Sequence, residues 1–140
     1  MILLQSSLVR LQTVHEDLRN VILLTAEIAP MAFVVTEGVR TLARQRELFL
    51  AKKTQTMNSR HLAHPSDGLS RAVDLAIWED RDLDRVVDAD ELSWRFPHYK
   101  DLATWVKRAS VQLNVPVTWG GEWTTLKDGP HFELNRAVYP

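Results

Sequence analysis

Ala72-Val73-Asp74-Leu75-Ala76-Ile77-Trp78 is the stretch on which the fold turns. Its apolar run has the length and composition of a central, buried strand, broken by one carboxylate in the middle. A lone aspartate in such a strand is costly unless something compensates its charge. A paired cation such as Arg71, a metal ion or a set of backbone donors would each do so.

Working outward, Leu8, Leu11, Val14, Leu18, Val21, Ile22 and Ile28 recur at three- and four-residue steps. They predict amphipathic helix over residues 7–29, with a break within 13–17 and a stop at Pro30. Ala32-Phe33-Val34-Val35 reads as a short buried strand, and Glu37-Gly38 as a turn. Thr41 is an N-cap for a second helix over 42–52, with Leu42, Gln45, Leu48 and Phe49 on one side. Residues 53–71 form a polar loop, and the acidic residues 79–91 a solvated one. A later helix spans 99–113, with Leu102, Trp105, Val106 and Ala109 facing inward. Val115-Pro116-Val117-Thr118-Trp119 and His131-Phe132-Glu133-Leu134 read as further strands. The expected architecture is α+β, a small and mostly antiparallel sheet with flanking helices. With no repeat or long linker, residues 1–140 are expected to form one domain.

The chain has 140 residues, with 17 Lys+Arg against 18 Asp+Glu and a net charge of −1, which removes any chain-wide argument for nucleic acid. The apolar run at Met1-Ile2-Leu3-Leu4 lacks a basic lead and is too short for a signal peptide. The apolar stretch near Val21 is interrupted by Thr25 and Glu27 and falls short of a membrane span. Synthesis in the cytoplasm is therefore expected. There is no cysteine, which excludes disulfides, thiolate zinc sites and a cysteine nucleophile. Any bound metal must use carboxylates and the five histidines, His15, His61, His64, His98 and His131.

Period-two alternation puts His131 and Glu133 on one face of the last strand and Phe132 and Leu134 on the other. On a terminal strand such a polar face is most simply a solvent face. Gly129-Pro130 nevertheless fixes the approach, holding Asp128 near the same place. Together with Asp74 and a loop histidine in Ser59-Arg60-His61, His131 supplies what a catalytic zinc needs without thiolates: three protein ligands from separate segments and one open position. A carboxylate three residues before the last ligand is then placed to take a proton from water, whose pKa zinc lowers from about 15.7 to about 7.

Six segments occur in one order: Glu37-Gly38-Val39-Arg40-Thr41, Arg44-Gln45, Ser59-Arg60-His61-Leu62, Ala72-Val73-Asp74-Leu75, Trp119-Gly120-Gly121-Glu122-Trp123 and Asp128-Gly129-Pro130-His131-Phe132-Glu133-Leu134. In this the chain resembles the M15 zinc peptidases, the D-Ala-D-Ala carboxypeptidase and VanY-like group. Within that group it is most similar to phage and prophage endolysins that act as L-alanyl-D-glutamate peptidases. The resemblance covers about residues 8–134 and implies a Hedgehog/DD-peptidase-like fold. It implies one zinc ion on His61, Asp74 and His131, with Asp128 as general base. Arg40 would bind a substrate carboxylate or the oxyanion, and Ser59 and Gln45 would support the site or touch substrate. The implied substrate is the stem peptide of bacterial peptidoglycan, cut by a monomer that reaches the wall after release from the cytoplasm.

One departure concerns the twelve residues between His61 and Asp74, a longer spacing than the family's, with Ala63-His64-Pro65-Ser66-Asp67-Gly68 reading as an insertion. Extra loop length costs little closure entropy. His64 is a rival ligand, but the Ser-x-His-Leu context favours His61. Trp119 and Trp123 are read either as wall residues beside Gly120-Gly121 or as part of a peptide groove. Glu133 either buttresses a ligand histidine or makes an ordinary ion pair. His15 and His98 are expected at the surface or in caps; Trp78, Trp94 and Trp105 in core or edge packing. Two alternatives stand beside the endopeptidase: a D-Ala-D-Ala carboxypeptidase, and a zinc-stabilised wall-binding domain without activity.

Overall fold

The computed structural model describes residues 1–54 and 56–140. The long N-terminal amphipathic stretch is two helices, α1 (Gln5–Leu11) and α2 (Glu16–Ile28). The break falls where expected: the His15 ring accepts from Asp17 N at 3.0 Å and caps α2, so this histidine is a capping residue. Strand β1 runs Phe33–Glu37, two residues further than the sequence suggested, so Glu37 belongs to the sheet. Helix α3 (Leu42–Leu50) follows its Thr41 cap. Then come β2 (Ala72–Trp78), a 3-10 turn (Ala89–Glu91) and a two-residue strand β3 (Leu92–Ser93). Helix α4 (Phe96–Leu113), β4 (Val117–Trp119) and β5 (His131–Leu134) complete the chain.

The sheet has the order β1-β2-β5-β4, with β3 on β2, and its paired strands are antiparallel. Alternation along β2 and β5 sends Val73, Leu75, Phe132 and Leu134 to one face. There they pack with Leu18 and Ile22 of α2 and Leu102 and Val106 of α4 in the main core. At about 1.5–3 kcal/mol for each such side chain, this packing orders the strands. The opposite face carries a smaller cluster, Val34, Ala76 and Trp78.

Four expectations are corrected. The His131 strand is interior, between β2 and β4, and all four of its residues are buried, because β4 pairs along its outer side. On α3, Leu42 and Phe49 face solvent and only Gln45 is buried. Trp94 is 60% exposed, stacking on Tyr99 rather than entering the core, and Trp105 is half-buried beneath Arg108. The acidic loop is not solvated throughout: Glu91 is buried and accepts from Arg81 N at 2.8 Å.

Candidate metal centre

The sheet register assembles the site. Glu37 of β1 pairs across from Asp74 of β2, and Asp74 across from His131 of β5. Directly opposed residues hold their side chains on the same face. Three polar groups therefore line up across three strands, on the face opposite the main core. His61 reaches them from the loop, whose backbone is tied in by Arg40 N donating to His61 O at 2.7 Å and Arg71 N to Arg60 O at 2.9 Å. Ser59 Oγ accepts from His61 N at 3.1 Å and shapes that turn.

One oxygen, Asp74 Oδ1, lies 3.1 Å from His61 Nε2 and 3.2 Å from His131 Nδ1. The remaining ring nitrogens have fixed acceptors: His61 Nδ1 donates to Gly38 O at 2.8 Å, and His131 Nε2 to Glu133 Oε1 at 2.9 Å. Each imidazole thus has one nitrogen held from behind by an acceptor and turns the other toward the same point, the arrangement that supporting acceptors impose on ligand histidines. With metal–ligand bonds of about 2.0–2.2 Å, the ligands of a tetrahedral zinc stand about 3.3–3.6 Å apart, close to the spacings found. The N₂O donor set suits zinc without thiolate. His61, Asp74 and His131 form a candidate metal site in which one ligand atom from each falls within 4.8 Å of the others.

The electrostatics follow from burial. Burial opposes the Asp74 charge, but hydrogen bonds from His131 and His61 outweigh it and hold the carboxyl far below the usual range. Burial likewise works against a charged His131, yet Asp74 and Glu133 lift its pKa to about 9. Asp128, on the wall of the same small pocket as Arg40, His61 and His131, is shifted up by burial and then by the Asp74 charge. Gly120 allows Asp128 that position. A Cβ on Gly120 would stand 2.5 Å from Asp128 O, and Gly120 O accepts from Asp128 N at 3.0 Å.

Arg40 is clamped rather than free. Its Nε and Nη2 donate to Glu37 at 2.5 and 2.8 Å, its Nη1 to Gln45 Oε1 at 2.7 Å, and Asp74 Oδ2 lies 3.9 Å away. Gln45 in turn donates to Thr56 O at 2.6 Å, which explains its complete burial. Trp123 lies tilted against His131, with ring centroids 4.9 Å apart, while Trp119 is buried and donates to Gly129 O at 2.7 Å. So Trp123 lines the site and Trp119 braces the segment leading into β5. Glu133 both supports His131 and accepts from Arg136 at 3.1 Å.

The remaining candidates lie elsewhere. Arg71 pairs with Asp67 at 2.8 Å and leaves Asp74 to the histidines. His64 sits in the exposed loop, bonded to Ser66 and the Pro140 carbonyl. His98 bonds Ser93 Oγ at 2.5 Å, away from the pocket. Two participants escaped the sequence reading, Glu37 and the Gly38 carbonyl, although both belong to the Glu-Gly-x-Arg segment. A Cβ on Gly38 would collide with Thr13 Oγ1 and stand 2.6 Å from Arg10 O, so only glycine lets this carbonyl reach His61.

The comparisons agree with this geometry. The model of a family described as phage L-alanyl-D-glutamate peptidase matches residues 2–138. The crystal structure of the Serratia marcescens L-Ala D-Glu endopeptidase ChiX superimposes with a TM-score of 0.81 at 40% identity, covering 97% of this chain and 91% of that one. Fold and sequence together place the chain in the phage L-alanyl-D-glutamate peptidase family.

Proposed function

We propose that the chain hydrolyses the L-Ala–D-Glu bond of the peptidoglycan stem peptide, with one zinc ion held by His61, Asp74 and His131. The observation that carries this reading is the single Asp74 oxygen between two imidazole nitrogens, whose rings are both locked from behind. A zinc ion bound there supplies Lewis acidity and acidifies water toward neutral pH.

The protein's own groups do the rest. Asp128 accepts the proton of the attacking water and delivers it to the departing amine of D-Glu. Burial, and then the Asp74 charge, raise its pKa and so strengthen it as a base. Arg40, neutralised in part by Glu37, keeps two N–H bonds free of those partners. They stabilise negative charge on the substrate carbonyl oxygen. Glu133 and the Gly38 carbonyl hold the ligand rings in register, and Trp123 walls the cleft. Among the described residues no helix is long and apolar enough to cross a membrane, and the enzyme acts on the wall as a monomer after leaving the cytoplasm.

Digestion of defined muropeptides, with products identified by mass spectrometry, tests the reading. New amino termini at D-Glu, lost on chelation and restored by zinc, are expected. Release of terminal D-Ala instead would make the chain a carboxypeptidase, and intact substrate with bound zinc would make it a binding domain.

A further inference from the structure

Three arginines, Arg40, Arg60 and Arg136, line the small pocket that holds His61, His131 and Asp128. Two of them are committed elsewhere. Arg40 gives Nε and Nη2 to Glu37 and Nη1 to Gln45, and its remaining N–H bonds serve the substrate carbonyl oxygen. Arg60 has a side chain only 12% exposed and donates from Nη2 to the Leu134 and Tyr139 carbonyls, at 3.2 and 2.6 Å. Arg136 differs. Its side chain is 59% exposed, and its hydrogen bond runs from Nε to Glu133 Oε2 at 3.1 Å. Its Nη1 and Nη2 have no acceptor among the described residues.

The result is a guanidinium held from behind with its outer edge bare. The Nε bond orients the group. The backbone beneath it is pinned by Asn135, whose Oδ1 accepts from Ala137 N at 2.9 Å and whose carbonyl accepts from Tyr139 N at 2.8 Å. Paired Nη groups form the planar fork that matches a carboxylate. Glu133 does not cancel the charge, because His131, Arg136 and, at 3.7 Å, Arg60 all share it. Arg136 also stands, with Trp123 and Glu133, between the metal pocket and a neighbouring cleft of about 400 Å³. That cleft has room for the next part of a bound peptide.

The proposed substrate brings a charge that needs such a partner. Glutamate has two carboxyl groups, and a peptide continues through only one of them. The other stays ionised within a few bonds of the L-Ala–D-Glu amide. In this pocket it meets the like charges of Asp74, Asp128 and Glu133, which oppose it. We propose that Arg136 binds this free carboxylate of D-Glu through Nη1 and Nη2, making the enzyme selective for the acid over the amidated residue. The inference rests on the L-Ala–D-Glu reading and gives Arg136 a part in specificity, apart from the metal and the proton transfers.

The zinc-loaded enzyme is assayed on paired muropeptides that carry D-Glu with its free carboxylate or with the corresponding carboxamide. The wild type is expected to favour the acid by about 10–100-fold in kcat/KM. In Arg136→Gln the acid loses that factor, chiefly through KM, so the ratio falls to near one while bound zinc is retained. Arg136→Lys keeps the charge without the fork and recovers part of the preference. A wild type indifferent to amidation, or an Arg136→Gln enzyme that keeps the preference, would overturn the proposal. So would an equal loss on both substrates, which is the outcome if Arg136 only supports Glu133 and His131. Calorimetric binding of the same pair to Asp128→Asn and to Asp128→Asn/Arg136→Gln is independent of turnover. Absence of cleavage at D-Glu by the wild type would sink the hydrolytic reading, whereas acid and amide bound equally by Asp128→Asn would sink the carboxylate site.

Discussion

His61 and His131 stand edge to face, ring centroids 5.1 Å apart, with Asp74 Oδ1 within 3.2 Å of a nitrogen on each. One histidine comes from a loop and the other from an interior strand. The carboxylate between them belongs to the strand next door. Because β2 and β5 pair Asp74 directly with His131, the sheet register brings these two side chains together.

Asp128→Asn removes the proposed proton acceptor and none of the proposed ligand atoms. Turnover is expected to fall by about 10²–10⁴-fold, with zinc content unchanged. Steady-state hydrolysis and metal analysis of the same preparation check both halves, and a fully active variant would refute the role given to Asp128.

Glu133→Gln keeps the shape of the side chain but weakens the charged acceptor behind His131 Nε2. Zinc affinity should drop by about 10–100-fold, measured by competition with a chelating dye. Gly38→Ala should act through His61 in the same direction. The new methyl group meets Thr13 and the Arg10 carbonyl, which also costs about 1–3 kcal/mol of stability.

The pH dependence has a definite sign. In the metal-free protein His131 titrates at about 9, above its ordinary 6.5. A raised pKa means that the proton stabilises the metal-free fold fully below about 6.5, and this contribution is lost as pH rises through about 9. Metal needs the unprotonated nitrogen, so zinc affinity should climb about tenfold per pH unit while His131 is protonated, then level off. A flat affinity profile below that pH would contradict the assignment.

His64→Ala should leave zinc content and activity unchanged, with stability altered by no more than about 0.5 kcal/mol. Its ring faces Ser66 and the chain terminus rather than the pocket. Loss of metal in this variant would move the third ligand out of the Ser59–His61 turn.

Much of this was legible in the sequence. Asp74 announced itself as a carboxylate in an apolar strand, and period-two alternation put His131 and Glu133 on one face. What sequence could not supply was the tertiary pairing. The polar face of β5 is buried because β2 and β4 flank it, a fact of strand order and not of local pattern. Glu37 reads as a turn residue, yet a shift in register after Val35 extends β1 to place it opposite Asp74. On α3, spacing puts Leu42, Gln45, Leu48 and Phe49 on one side, but only Gln45 of these is buried, held by Arg40 and the Thr56 carbonyl. A polar network outweighed the apolar stripe there.

An anomalous difference map at the zinc edge, from crystals of the zinc-loaded enzyme, tests the central claim most directly. One peak is expected in the pocket, about 2.0–2.2 Å from His61 Nε2, an Asp74 oxygen and His131 Nδ1. A peak on other residues, or none between these three in a preparation that cleaves wall peptides, would contradict the account.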